Sequence, residues 1–160
     1  MNTPTNYDNV IDSRDIITAI ESLESDIQDL TDEMDELDAN GDGATGHGDG
    51  STRYSELRDE RTDLEAELAP LKAFADEASE VSDWEYGETF IRDDYFQDYA
   101  EELARDCAPS KEIADLLDGS HDLGWPFTSM TIDWEQAARE LRYDYTGYDF
   151  DGVTYWARAW

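Results

Sequence analysis

The chain has almost no lysine. Lys72 and Lys111 are the only two in 160 residues, and lysine plus arginine total 11 against 42 aspartates and glutamates, a formal net charge of -31. Such a surface repels nucleic acid and anionic membrane, which carry the same sign. Cysteine is equally scarce. Cys107 stands alone, so no intrachain disulfide framework exists, and with no histidine nearby it reads as an inert thiol. His47 and His121 are the only histidines, and neither has a cysteine or serine partner in view, so nucleophilic catalysis of the Ser-His or Cys-His type is not indicated. No phosphate-binding loop or dinucleotide fingerprint occurs. Acid pairs are so abundant that they arise by chance and carry no argument for glycosidase or metal-dependent nuclease chemistry. The expectation is a non-enzymatic protein without a cofactor. No apolar run approaches the ~18 residues of a membrane span. The opening MNTPTNYDNV has neither the basic nor the apolar region of a signal peptide. A soluble, cytoplasmic protein is expected.

What the chain does have is apolar material. The hydrophobic share is 39%, with 5 Trp, 9 Tyr and 5 Phe. Acidic chains that stay disordered lack aromatics, so this one is expected to fold despite its self-repulsion. A strongly negative surface attracts basic proteins, including those that bind nucleic acid, and divalent cations. A different origin for the charge is adaptation to high salt, for which an Asp-rich, Lys-poor balance is typical.

Two heptad seams follow a terminus, residues 1–11, that reads as flexible. Ile16, Ile20, Leu23, Ile27, Leu30, Met34 and Leu37 alternate steps of four and three, the a/d pattern of a coiled coil, with Asp12 or Ser13 as N-cap and Asp15 in the first turn. Tyr54, Leu57, Arg61, Leu64, Leu68 and Leu71 make a second seam, which Pro70 is expected to kink or interrupt. Joined by a glycine-rich connection, the seams predict an antiparallel helical hairpin over 12–78 with its tip at 39–52. The same seams are compatible with pairing across a homodimer. Arg53, Arg58 and Arg61 are expected to pair with acids of the first helix.

Residues 82–160 are aromatic-rich. Phe90, Ile91, Tyr95, Tyr99 and Leu103 fit one helical face ending before Pro109, and SKEIADLLDG reads as a short helix closed by Gly119. SHDLGWPFTSMTI reads as a loop. DWEQAARELRYDY reads as a helix with Asp133 as N-cap and Gln136 at the capping-box position. The last segment alternates around Asp151-Gly152, a hairpin signal. The fold class expected is therefore α+β and mainly helical: an N-terminal coiled-coil hairpin, then a small compact domain ending in a β-hairpin.

Two candidate sites emerge. The stretch DANGDGATGHGDG begins like an EF-hand loop, with Asp38, Asn40, Asp42, Gly43, Ala44 and Asp49 at positions 1, 3, 5, 6, 7 and 12. Position 12 is Asp rather than Glu, the apolar anchor at position 8 is replaced by Thr45, and three further glycines raise the entropy of ordering the loop. A connecting loop is the plainer reading of the stretch, and calcium the bolder one. The second candidate is the distributed charge. Glu21, Glu24, Asp26, Asp29, Asp32, Glu33, Asp35 and Glu36 all lie off the first seam, and that helix contains no lysine, whereas solvated coiled coils usually alternate Glu with Lys. A helix of ~25 residues is about 37 Å long, close to one turn of DNA at ~34–36 Å. An acidic rod of that size suits a basic groove that normally holds nucleic acid. Asp93, Asp94, Asp98, Glu101 and Glu102 would extend the contact on the second domain.

Three segments, NVIDSRDIITAIESLE, DWEYGETFIRDDYFQDYAEELARD and IDWEQAARELRYDYTGYDFDGVTYWAR, together resemble a group of small acidic proteins of bacteriophages and mobile elements of antirestriction type. The resemblance covers most of the chain outside residues 38–52. It implies a DNA mimic that inhibits a host nucleic-acid-directed defence, by binding a basic host protein inside the host cell, with no catalytic residues. The alternatives from composition and motif remain an acidic coiled-coil structural or adaptor protein with high-salt-adapted charge, and a weak calcium-binding protein.

Overall fold

The structure, a computed structural model, describes residues 3–41 and 49–159, the side chains of Asp49 and Gly50 excepted. Among them the chain forms a short strand β1 (Val10–Asp12), two long helices α1 (Ser13–Ala39) and α2 (Asp49–Ala78), a strand β2 (Thr89–Arg92), helices α3 (Phe96–Asp106), α4 (Lys111–Leu117) and α5 (Trp134–Leu141), and a hairpin of β3 (Tyr145–Phe150) and β4 (Val153–Arg158). The fold is α+β, as expected. The four strands form one antiparallel sheet in the order β1-β2-β4-β3.

Both heptad seams form as read. On α1 every seam residue is buried or half-buried, from the fully buried Ile16 to Met34 near the tip. On α2, Leu57, Leu68 and Leu71 are buried, and Phe74 and Ala78 continue the stripe. Each fully buried Ile, Leu, Met or Phe among them contributes about 1.5–3 kcal/mol. Asp12 caps α1, its carboxylate accepting from the Arg14 backbone N–H at 2.9 Å. The hydrogen-bonded Arg14 guanidinium is the main reason the Asp12 carboxyl is held below its usual pKa. Ser13, fully buried, exchanges two hydrogen bonds with Glu88 of the segment before β2: its N–H donates to the Glu88 carbonyl at 2.9 Å and its Oγ accepts from the Glu88 N–H at 2.8 Å.

Pleating gives the sheet two apolar faces. Ile11, Phe90, Tyr148, Phe150, Val153, Tyr155 and Ala157 point to one side, where they meet the base of the helical hairpin. There Phe74 touches the rings of Trp84, Phe90, Phe150 and Tyr155, with centroids 5.0–6.3 Å apart. Ile91, Tyr145 and Trp156 point to the other side, onto Phe96 and Ala100 of α3 and Ala138 of α5. The sheet is thus the middle of three layers. Gly147 lies opposite Trp156, where a Cβ would come within 3.3 Å of the indole ring, so a side chain there would displace it.

Four expectations are corrected. Val10 and Ile11, expected in the flexible terminus, are not a loose end but form with Asp12 an edge strand, pinned by pairing with β2. The chain before them is also tied down: the Tyr155 hydroxyl donates to the Asp8 carbonyl, and the Arg92 N–H to the Asn9 carbonyl. Phe90 and Ile91 belong to strand β2 rather than a helix. The helix starts at Phe96 after a single 3-10 turn, Asp93–Tyr95. Pro70 does not stop α2, which runs through it to Ala78. The apolar side chains on both sides of Pro70 are anchored in the core, and that packing outweighs the ~3 kcal/mol penalty of an interior proline. Finally, of the three arginines only Arg53 crosses to α1, pairing with Glu33 at 2.9 Å. Arg58 pairs with its neighbour Asp59, and Arg61 with Glu65 on its own helix. The second crossing comes from Lys72, whose Nζ lies 2.6 Å from Glu24.

Candidate functional site

α1 has 27 residues, which makes it about 40 Å long. Packing of its seam against α2 fixes its rotation and turns most of the acids off the seam toward solvent. Among the sequence-predicted contacts, Glu21, Glu24, Asp26, Asp29, Asp32, Asp35 and Glu36 are exposed and Glu33 is half-buried. Residues three and four apart on a helix surface lie ~5–6 Å from one another, so Asp26, Asp29, Asp32, Glu33, Asp35 and Glu36 are linked at that spacing, and Glu21 and Glu24 form a separate pair nearer the base. Among these acids Glu24 and Glu33 are held by the two crossings to α2, and Asp32 accepts from Gln28 at 2.7 Å. Glu21, Asp26, Asp29, Asp35 and Glu36 make no ion pair or side-chain hydrogen bond among the described residues. The fold makes no use of them.

The five acids predicted on the second unit are employed differently. Asp93 accepts from the Trp156 indole N–H at 2.8 Å and meets the Arg142 guanidinium at 3.3 Å. That guanidinium lies over two rings, 4.8 Å from the centre of Phe96 and 5.0 Å from Trp156. Asp93 is therefore a brace across the α3, α5 and sheet layers. Asp94 pairs with Arg92 at 3.1 Å, Glu101 with Arg105 at 3.4 Å, and Glu102 accepts from the Tyr95 hydroxyl at 3.0 Å. Asp98 alone of the five has no such partner among the described residues. The structure does not bring this set into one acidic row with α1.

No protein-family model, curated protein or solved structure matches the chain.

For the calcium reading, Asp38 is exposed in the last turn of α1 and Asn40 follows as C-cap, its N–H bonded to the Glu36 carbonyl at 3.1 Å. Asp42, Gly43, Ala44 and the Asp49 side chain lie outside the described residues.

One surface reads in the sequence only as a loop. Between α4 and α5, Leu123, Trp125, Phe127, Met130 and Ile132 are all exposed, Trp125 at 86% and Met130 at 60%. The signal was legible: SHDLGWPFTSMTI is far more apolar than a solvent loop requires. No sequence signal exposed the Arg142 arrangement, whose partners Asp93, Phe96 and Trp156 come from three distant elements. Among the described residues no helix is long and apolar enough to cross a membrane.

Proposed function

We propose that the chain is a phage-encoded, non-enzymatic inhibitor that acts as a nucleic-acid mimic. Its acidic arm enters the basic groove of a host nucleic-acid-directed defence complex, a restriction enzyme or a CRISPR effector, and keeps the true substrate out. The observation that carries this reading is the set of α1 carboxylates, Glu21, Asp26, Asp29, Asp35 and Glu36, that make no ion pair or side-chain hydrogen bond among the described residues, on a helix packed along its partner. Residues 13–78 contain twenty acids and five lysines and arginines, a net charge of -15. Spread along the 30 residues of α2, about 45 Å, that is roughly one net charge per 3 Å, against one per ~1.7 Å for duplex DNA. The arm thus carries about half the line charge of DNA. Charge of this density steers encounter with a basic groove and makes association fast and salt-sensitive.

The test is competition. A purified restriction endonuclease or CRISPR effector is titrated with the protein in the presence of labelled DNA, at rising ionic strength. The expected result is displacement of the DNA that weakens steeply with salt and is lost on neutralising Glu21, Asp26, Asp29, Asp35 and Glu36. Displacement indifferent to salt, or unchanged in the neutralised variant, removes the mimic reading.

A second reading has an observation of its own. Residues 79–160 contain twenty acids and six lysines and arginines, a net charge of -14, so the charge is not confined to the arm. That distribution supports an adaptor protein adapted to high salt. A folded state that forms only in molar salt would favour it.

A further inference from the structure

The segment joining α4 to α5 has the make-up of an interface core. Five large apolar side chains fall within ten residues and all are exposed, whereas a soluble chain this polar is expected to scatter such residues singly. The segment is locally built. The Phe127 N–H donates to Gly124 at 3.0 Å, the Ser129 N–H to Pro126 at 3.0 Å, and the Met130 N–H to Phe127 at 3.1 Å, so a tight turn holds Trp125 and Met130 out from the surface. Beside it Met130 and Ile132 join Leu116, Leu117 and Trp134 in lining an apolar cleft. Its borders are anionic: Asp118 lines the cleft, and Asp122 and Asp133 flank the segment in sequence. The cations of the helices on either side of the segment, Arg105, Lys111 and Arg139, are committed to Asp118, Asp115 and Glu135. An apolar centre with a charged rim is the anatomy of a protein interface, and exposed Trp and Met are typical anchors.

The charge selects the occupant. A second copy would bring two chains of net charge -31 together, and an anionic bilayer would meet the acidic borders with the same sign. We propose that Leu123–Ile132 is the apolar anchor of the interface with a basic protein, seating Trp125 and Met130 in an apolar pocket ringed by lysine and arginine. This rests on the reading of the arm as a surface for a basic partner. It adds that recognition is not charge alone: the arm steers and this segment sets residence and specificity.

The experiment uses the full chain and two peptides of equal positive charge, an oligolysine and an amphipathic Lys/Leu helix. Binding is followed by titration and by tryptophan emission. The expected result is that the amphipathic peptide binds at least about tenfold more tightly than oligolysine and shifts the emission to the blue. Trp125→Ser with Met130→Ser brings the ratio to within about twofold, and Trp125→Phe keeps most of it. Both side chains are exposed, and circular dichroism verifies the fold of each variant. Neutralising Glu21, Asp26, Asp29, Asp35 and Glu36 weakens both peptides alike and preserves the ratio. If that variant has no effect while the ratio still collapses in the Trp125/Met130 variant, the arm reading fails and the anchor stands. The anchor is overturned by an unchanged ratio in the Trp125/Met130 variant. It is equally overturned by the same blue shift with phosphatidylcholine vesicles alone, or by a dimer in sedimentation that this variant disperses.

Discussion

The helical arm and the sheet unit carry nearly the same net charge, -15 over residues 13–78 and -14 over 79–160, and use it in opposite ways. In the sheet unit acids hold the layers and ends together. Asp93 ties Trp156 to Arg142, Asp133 caps α5 by accepting from the Gln136 N–H, Asp149 accepts from Gly152 at the hairpin turn, and Asp118 meets Arg105. On α1, Glu21, Asp26, Asp29, Asp35 and Glu36 hold nothing among the described residues. Formal charge does not distinguish a scaffold from a recognition surface. The distinction lies in whether a carboxylate has a partner whose loss the fold would feel.

The sharpest break of this comparison is at the joint between the two regions. Phe74→Ala removes the ring that packs on four aromatics of the sheet unit. It is expected to cost about 3–5 kcal/mol in chemical denaturation, with loss of the single cooperative transition. Next comes the brace. Asp93→Ala strips a hydrogen bond from Trp156 and a partner from Arg142, and is expected to cost about 1–3 kcal/mol by the same measurement.

Tyr155→Phe is smaller at neutral pH, about 1 kcal/mol for the hydroxyl that donates to the Asp8 carbonyl. Its signature is at high pH. Burial, above all, pushes the Tyr155 pKa up to about 12, and burial raises Tyr145 and Tyr148 as well. A phenol whose folded pKa is raised contributes stability below its unfolded value near 10, and that contribution is lost as pH rises from ~10 towards ~12. Wild type is expected to lose stability steeply across that window, and the variant less so. The smallest effect is the most telling. Neutralising Glu21, Asp26, Asp29, Asp35 and Glu36 is expected to leave the melting temperature unchanged or raise it, because only self-repulsion is removed. The rate of association with a basic effector is expected to fall by about tenfold or more. A lower melting temperature would place these acids with the scaffold and end the contrast.

The parts of the fold legible in the sequence are those fixed by local chemistry. The heptad spacing from Ile16 to Leu37, the Asp133 cap and the Asp151-Gly152 turn each act within a few residues. Asp151 and Gly152 both adopt positive φ, 49° and 80°, as a hairpin turn of that kind requires. Strands β1 and β2 were not legible, because three or four residues carry little pattern of their own. Phe90 and Ile91 satisfied a helical spacing with Tyr95 and Tyr99 by coincidence, and their strand identity comes from partners on β1 and β4. The candidate surface divides the same way. Exposure of the α1 acids follows from the seam on the opposite face. The structural role of Asp93 depends on Trp156, 63 residues away, and no spacing rule reaches that far.

The position of β4 has a kinetic consequence. It lies between β2 and β3, pairs Ile91 with Trp156, and anchors the early segment through a bond spanning 147 residues between Tyr155 and Asp8. Closing loops of that length costs entropy before any pairing rewards it, whereas the helical hairpin forms from nearer neighbours. During synthesis the hairpin is therefore complete in sequence well before its own base can be covered. Ile16, Leu71 and Phe74 wait in water for a strand still to be made, and the arm's dense negative charge keeps such half-finished chains apart from one another.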